Sequence, residues 1–283
     1  MVNSEEKQQP TRLSTAHSRE LGEELRRVRH RARMSSSVTA EAMDWSLGKL
    51  SKLETGTRGT GVLDIAALLG QYHTDKATRE HILTIATERD TGSFVRRHDR
   101  SPDTLAALRV HERIARTVTA YEPLTVPALA QTEDYALALT GDRAVARIRM
   151  DRQQEQQLAC RELVLYLHEA ALRVRVGTPQ IMRDQLLHLT LMGGWADTRI
   201  RIVPLTNGFD AMLRNPATLL TFDVPVRPVA YAEIDSVTVF HDDSDVVAAY
   251  RRKMDHLDSV ALALGESRKV LARWVDAYER EAA

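Results

Sequence analysis

The chain has 283 residues, 43% hydrophobic and 28% charged, with 39 basic residues against 39 acidic ones. That length allows two domains, no apolar run approaches the roughly 18 residues of a membrane span, and balanced charge excludes a chain that coats nucleic acid along its whole surface. Cys160 is the only cysteine, which rules out an internal disulfide and predicts a small buried thiol; together with a first segment, MVNSEEKQQP, that has no apolar h-region, it places the expected protein in the cytoplasm, associated with the nucleoid.

Residues 1–17 are polar and without period, and read as a flexible arm. Ser18 is placed to cap a helix running to about Arg33, with Leu21, Leu25, Val28 and Ala32 on one face. A short helix from Ser36 to Met43 follows, Asp44-Trp45 makes a turn, and Ser46 caps a third helix through Leu47, Leu50 and Leu53 to Glu54. Gly56 suits the left-handed position that ends such a helix. A fourth helix covers Val62 to Tyr72, and a fifth starts after Thr74 or Asp75 and ends near Gly92. Five helices over 18–91, two of them joined by a tight turn, are what a helix-turn-helix DNA-binding domain requires. Arg26, Arg27, Arg29, Arg31, Arg33, Lys49, Lys52 and Arg58 outnumber the acids between Arg19 and Arg58, which gives the domain a local basic face. The residues expected to touch DNA are Ser36, Ser37, Ser46, Leu47, Gly48, Lys49, Lys52 and Arg58. Glu54 reads as a cap or ion pair and Trp45 as a packing anchor. Gly56, Gly59 and Gly61 lack the order and the preceding strand of a phosphate loop.

The segment SLGKLSKLETG (46–56) resembles the recognition helix of Xre-type, phage-repressor-like regulators, with Ser46, Ser51, Leu53, Glu54 and Gly56 in register over a match of about 19–90. Ser36 stands where that family commonly has Gln, and Asp44 where it commonly has Gly. Gly48 costs about 1 kcal/mol of helix propensity relative to alanine. With no Arg or Gln at the tip, direct base readout looks thin, and phosphate contacts and DNA shape are expected to carry more of the recognition.

Residues 92–102 read as a linker, and 103–283 as a mixed α/β domain with a small sheet of about four strands. Ser101 and Pro102 open a helix with Leu105, Leu108, Ala115 and Val118 on one stripe. Glu112 falls on that stripe, either in an ion pair with an internal arginine or lining a pocket. Pro123 and Pro127 break the helix, and Thr132 caps the next. Asp142 opens a long charged helix, Arg143 to Gln157, read as a solvated face. Leu163–Leu167 reads as a buried strand, Pro179–Gly193 as a helix and Arg199–Pro204 as a strand parallel to the first. Strands at Thr218–Val224 and Val229–Ile234 and helices at Asp243–Ala263 and Ser267–Glu281 complete the pattern. His168-Glu169 begins like a zinc-protease helix but lacks the second histidine. Within residues 103–283 a nucleophile elbow, paired histidine ligands and a Ser-x-x-Lys are all missing. No enzyme, metal or cofactor is therefore expected, and a C-terminal hydrolase is the weakest alternative.

Over about 104–275 the chain resembles an actinobacterial domain of unknown biochemical function that follows Xre-type domains. The resemblance rests on Glu112 with Ala115, VPALAQTEDYA (126–136), Arg152-Gln153, Glu169 to Arg173, Gln185-Leu186, Val203-Pro204 and Tyr231-x-Glu233. It implies a regulator encoded beside a small partner protein, in toxin–antitoxin-like pairs. The expected function is a transcriptional regulator that binds a double-stranded operator as a homodimer and senses a ligand or partner, with Glu112, Gln131, Tyr135, Arg152 and Gln153 as candidate contacts. The alternative is an antitoxin-like protein that neutralises its partner and represses its own promoter. No membrane partner is expected.

Overall fold

The computed structural model describes residues 14–98, 101–158, 162–207 and 210–283. Most of the expected arm, and Cys160, lie outside them. The chain divides into two compact units, one formed by the residues up to Asp90 with Pro225–Arg227 and the other by Thr91–Val224 and Pro228–Ala283.

The first unit consists of α1 (Ala16–Arg31), α2 (Ser36–Ala42), α3 (Leu47–Glu54), α4 (Val62–Gln71) and α5 (Lys76–Thr87). Polar caps set most of its helix starts: Ser35, Ser46 and Asp75 accept the orphan N–H groups of α2, α3 and α5. α1 begins earlier than the sequence pattern predicts. Thr15 is its cap, and Ser18 bonds back to Thr15 in a capping box. α5 stops at Thr87, short of Gly92. Leu25, Val28, Leu50, Leu53, Ile65, Leu68, Leu69, Tyr72 and Ile82 form the core. Two glycines let α1 and the end of α3 touch backbone to backbone. A Cβ on Gly22 would sit 2.4 Å from the Glu54 carbonyl oxygen, and one on Gly56, which has φ +71, would sit 2.6 Å from the Ser18 carbonyl carbon. The Ser18 hydroxyl donates to the Gly56 carbonyl at 2.8 Å across this contact.

The second unit contains β1 (Ser93–Arg97), α6 (Ala106–Ile114), β2 (Thr117–Glu122), α7 (Glu133–Thr140), α8 (Arg143–Leu158), β3 (Glu162–His168), α9 (Glu169–Arg173) and α10 (Pro179–Met192). It continues with β4 (Thr198–Val203), β5 (Ala217–Thr221), β6 (Val229–Ile234), β7 (Val237–His241), α11 (Ser244–Val260) and α12 (Leu264–Ala282). The strands form one sheet in the order β1-β7-β6-β5-β2-β3-β4. β2, β3 and β4 are parallel, as predicted for the last two, and the remaining neighbours are antiparallel. α11 covers one face, placing Val247, Met254 and Leu257 against Tyr121, Val164, Tyr166 and Val203.

The sheet has seven strands, not about four. β1 lies in the segment expected to be a linker and pairs with β7, Ser93 opposite His241. Ser101 and Pro102 open only a three-residue 3-10 turn, Pro102–Thr104, because Leu105 is extended. α6 starts afresh at Ala106 and ends at Ile114, where Ala115 leaves the helical region, and β2 lies where the expected helix would have continued. β7 follows β6 across a two-residue hairpin, Ile234 opposite Val237. The solvated face expected on α8 is also corrected, since Arg149, Arg152, Gln153 and Gln156 are buried. Among the described residues no helix is long and apolar enough to cross a membrane.

Candidate functional site

In α2 and α3, each serine cap fixes the first turn that follows it. Ser35 accepts from the Val38 N–H at 3.2 Å and Ser46 from the Lys49 N–H at 3.1 Å. Asp44 takes a left-handed conformation at φ +51 in the turn between them, and the Trp45 N–H closes the turn on the Ala40 carbonyl at 2.8 Å. Ser36, Ser37, Ser46, Leu47, Gly48, Lys52 and Arg58 are exposed, whereas Leu50 and Leu53 of the same helix are buried.

Lys49 is placed differently. Its ammonium lies 3.3 Å from the Asp64 carboxylate and 3.7 Å from the centroid of the Trp45 ring. Hydrogen bonds from Thr60 and then from Lys49 hold the Asp64 carboxyl below its usual range. Glu54 faces inward: Arg29 donates to its two oxygens at 2.6 and 2.9 Å and to the Met34 carbonyl at 2.9 Å. The pair ties α1 to α3, and Arg29 also holds the segment leading into α2 at Met34, a structural role of the kind expected of Glu54. Lys52 and Arg58 are thus the exposed cations on and just after α3.

In the second unit, Glu112, Gln131, Arg152 and Gln153 come together in a buried hydrogen-bonded network. Arg152 forks onto Glu112 at 2.9 and 2.8 Å and also reaches Asp103, while the Tyr231 hydroxyl donates to Glu112 at 2.8 Å. Arg149 bridges Asp103 and Gln131 at 2.9 and 2.7 Å. The remaining amide donors satisfy the backbone of the proline-rich loop: Gln131 donates to the Val126 carbonyl, and Gln153 to those of Ala128 and Gln131. Tyr135 stands beside this network, its hydroxyl accepting from the Val126 N–H at 3.2 Å. Sequence reasoning missed Asp103, Arg149 and Tyr231, because their partners lie 18 to 119 positions away.

A cavity of about 30 Å³ adjoins the network, lined by Glu112, Glu122, Arg152, Tyr231 and Glu233. It has room for about one water. Burial, with repulsion from Glu233, pushes the Glu122 carboxyl up to about 8. Burial pushes Glu112 up as well, against the forked bonds from Arg152 that favour its charge. The described residues include no grouping of His, Cys, Asp and Glu suited to a metal ion. Chemically this network fastens the loop between β2 and α7 to α6 and α8.

A larger cleft of about 510 Å³ opens on the parallel half of the sheet, between Thr119, Tyr166 and Arg201 on the strands and Met254 and Asp258 on α11. The Tyr166 hydroxyl donates to Asp258 at 2.9 Å, and Arg201 pairs with the same carboxylate. Such a volume is typical of a small-molecule site. No single motif announces it, since its walls come from β2, β3, β4 and α11.

Two family models match the chain: a helix-turn-helix domain over residues 20–82 and the domain of unknown function DUF5753 over residues 105–273. A search among curated proteins finds no match. Among solved structures the chain is similar to one described as "TrmBL2, an archaeal chromatin protein" with "a novel mode of DNA binding", at 14% identity and a TM-score of 0.31. The alignment covers 69% of this chain and 63% of the length of that one.

Proposed function

This chain belongs to the DUF5753 family and carries a helix-turn-helix domain ahead of it, and from that premise we propose that it is a DNA-binding transcriptional regulator of the Xre type. The observation that carries the reading is the α2–α3 pair. Its capped first turns leave Ser36, Ser37, Ser46, Leu47 and Gly48 open to solvent with Lys52 on the same short helix, the arrangement by which such a pair enters a major groove. Arg58 and Lys52 serve phosphates, and Lys49 braces α3 against Trp45 and Asp64. The protein binds its operator as a homodimer, since one such domain covers little DNA and two-fold sites match two-fold proteins.

The second unit acts by binding rather than catalysis and sets the response to a small ligand or to a small protein encoded nearby. The open cleft under α11 supports the ligand arm better than the buried network does, because the network's polar groups already satisfy one another.

Genome-wide footprinting of the wild-type chain beside a Lys52→Ala/Arg58→Ala variant tests the DNA reading. Discrete peaks that vanish in the variant are expected; equal occupancy by both would remove α3 and its following loop from the interface. Light scattering of the protein on a footprinted duplex should give two chains per site.

A further inference from the structure

Two neighbouring residues of α3 have no explanation inside their own domain. Leu47, in the first helical position, leaves 56% of its surface exposed, although Leu50 and Leu53 are buried. Gly48 follows it with no left-handed backbone, and beyond its chain neighbours and the local helix backbone a Cβ built there comes no nearer than 4.0 Å to any atom, the Ser46 hydroxyl. Neither packing nor conformation asks for glycine at that position, and a helical glycine weakens a helix relative to alanine. An external surface that approaches the backbone closely does ask for it.

The surroundings identify that surface. Ser46, Ser51 and Lys52 are exposed around the pair, and the one acid of α3, Glu54, is turned into Arg29. A face that is neutral to positive, with one large apolar side chain beside one bare backbone position, complements the floor of a DNA major groove. The apolar feature of that floor is the C5 methyl of thymine. Lys49, which shares this turn, is drawn off to Asp64 and Trp45 and leaves the space clear.

We propose that Leu47 reads a thymine by packing on its C5 methyl, and that Gly48 provides the clearance that brings the first turn of α3 within reach of it. The proposal rests on the DNA-binding reading given above. It supplies base selectivity to a helix tip that has no Arg or Gln to hydrogen-bond base edges.

The probe is a duplex obtained by selecting bound sequences from a random library with the full chain. Each thymine of the selected site is then replaced singly by deoxyuridine, which removes only the methyl. At one or more positions binding should weaken about fourfold, the factor equivalent to about 0.8 kcal/mol for one buried methyl-sized group. Leu47→Ala should bind the thymine and deoxyuridine forms equally. Gly48→Ala should melt at a higher temperature than wild type and yet bind tenfold or more weakly, a pair of opposite shifts that a merely structural role does not produce. If every thymine tolerates the change, or if Gly48→Ala binds with unchanged affinity, the proposal is overturned while the DNA-binding reading stands. A chain that selects no duplex at all removes both.

Discussion

Arg29 is buried, the Glu54 side chain is only 9% exposed, and each is the other's charge partner. Removing one member of a buried pair strands the other charge in a low-dielectric core, which typically costs about 3–5 kcal/mol. Glu54→Ala should therefore lower the urea midpoint of the first unit by that equivalent, whereas a surface change such as Lys52→Ala should leave it within about 0.5 kcal/mol. Matching midpoints for the two variants would show that the pair does not hold α1 to α3. Glu122 makes a prediction of opposite character. Its carboxyl titrates at about 8 in the folded chain against an ordinary 4.5, so between these values the folded state holds a proton that the unfolded state has released. Stability is then greatest below about pH 4.5 as far as this group is concerned, and falls as pH rises to 8. Glu122→Gln removes the dependence: melting followed at pH 5 and pH 8 should show the variant gaining on wild type only at the higher pH. At this scale the chemistry of Glu54 was readable from its place in the SKLETG run. The diversion of Lys49 was not, because Asp64 lies a further helix along the chain.

The meeting of α1 and α3 depends on backbones in contact at Gly22 and Gly56. Gly22→Ala must push α1 away from the Glu54 carbonyl, and overpacking of this kind costs about 1–3 kcal/mol or more. Calorimetry should show a lower transition for the first unit with the second unchanged; an unshifted transition would mean that the helices part without loss. The helices of this unit were legible because caps, stops and a 3.6-residue period agree over each of them. The missed strands show where such agreement ends. Val118 continues the spacing of Leu105 and Leu108, so β2 mimics a helical stripe until the backbone at Ala115 breaks it. In β1 the inward positions are Phe94 and Arg96, with the guanidinium 4.5 Å from the Phe94 ring. A buried arginine on the core side hides the alternation that marks a strand. α8 misled in the same way: its charges look solvated until Asp103 and Glu112 arrive from 40 or more positions away.

For the whole molecule, zero net charge means that DNA affinity rests on a few placed cations rather than on an overall field. Each phosphate contact contributes about −0.9 to the slope of log K against log salt. Arg58→Ala should reduce that slope by about one unit and weaken binding alike on every sequence, whereas an effect confined to one sequence would mark Arg58 as a base contact. The sheet carries a second prediction at this scale. A fragment of residues 91–283 retains β1, while one of residues 103–283 bares the hydrogen-bonding edge of β7 and the Phe240 ring that stacks on Phe94 at 5.1 Å. Exposed edges of this kind pair with other chains. The shorter fragment should elute as aggregates and the longer as a defined species; equal behaviour would make β1 dispensable.

That edge strand also sets a timetable. Ser93 and its partner His241 are 148 positions apart, so at ordinary synthesis rates β1 leaves the ribosome roughly 7–30 s before β7 exists to receive it. The helices of the first unit all lie before Asp90, with only Pro225–Arg227 grouped with them from later in the chain, and local contacts form fast. On chains stalled near residue 230, proteolysis should find a finished helical head and a protease-sensitive remainder. The helical unit is thus complete while the second unit is still being made.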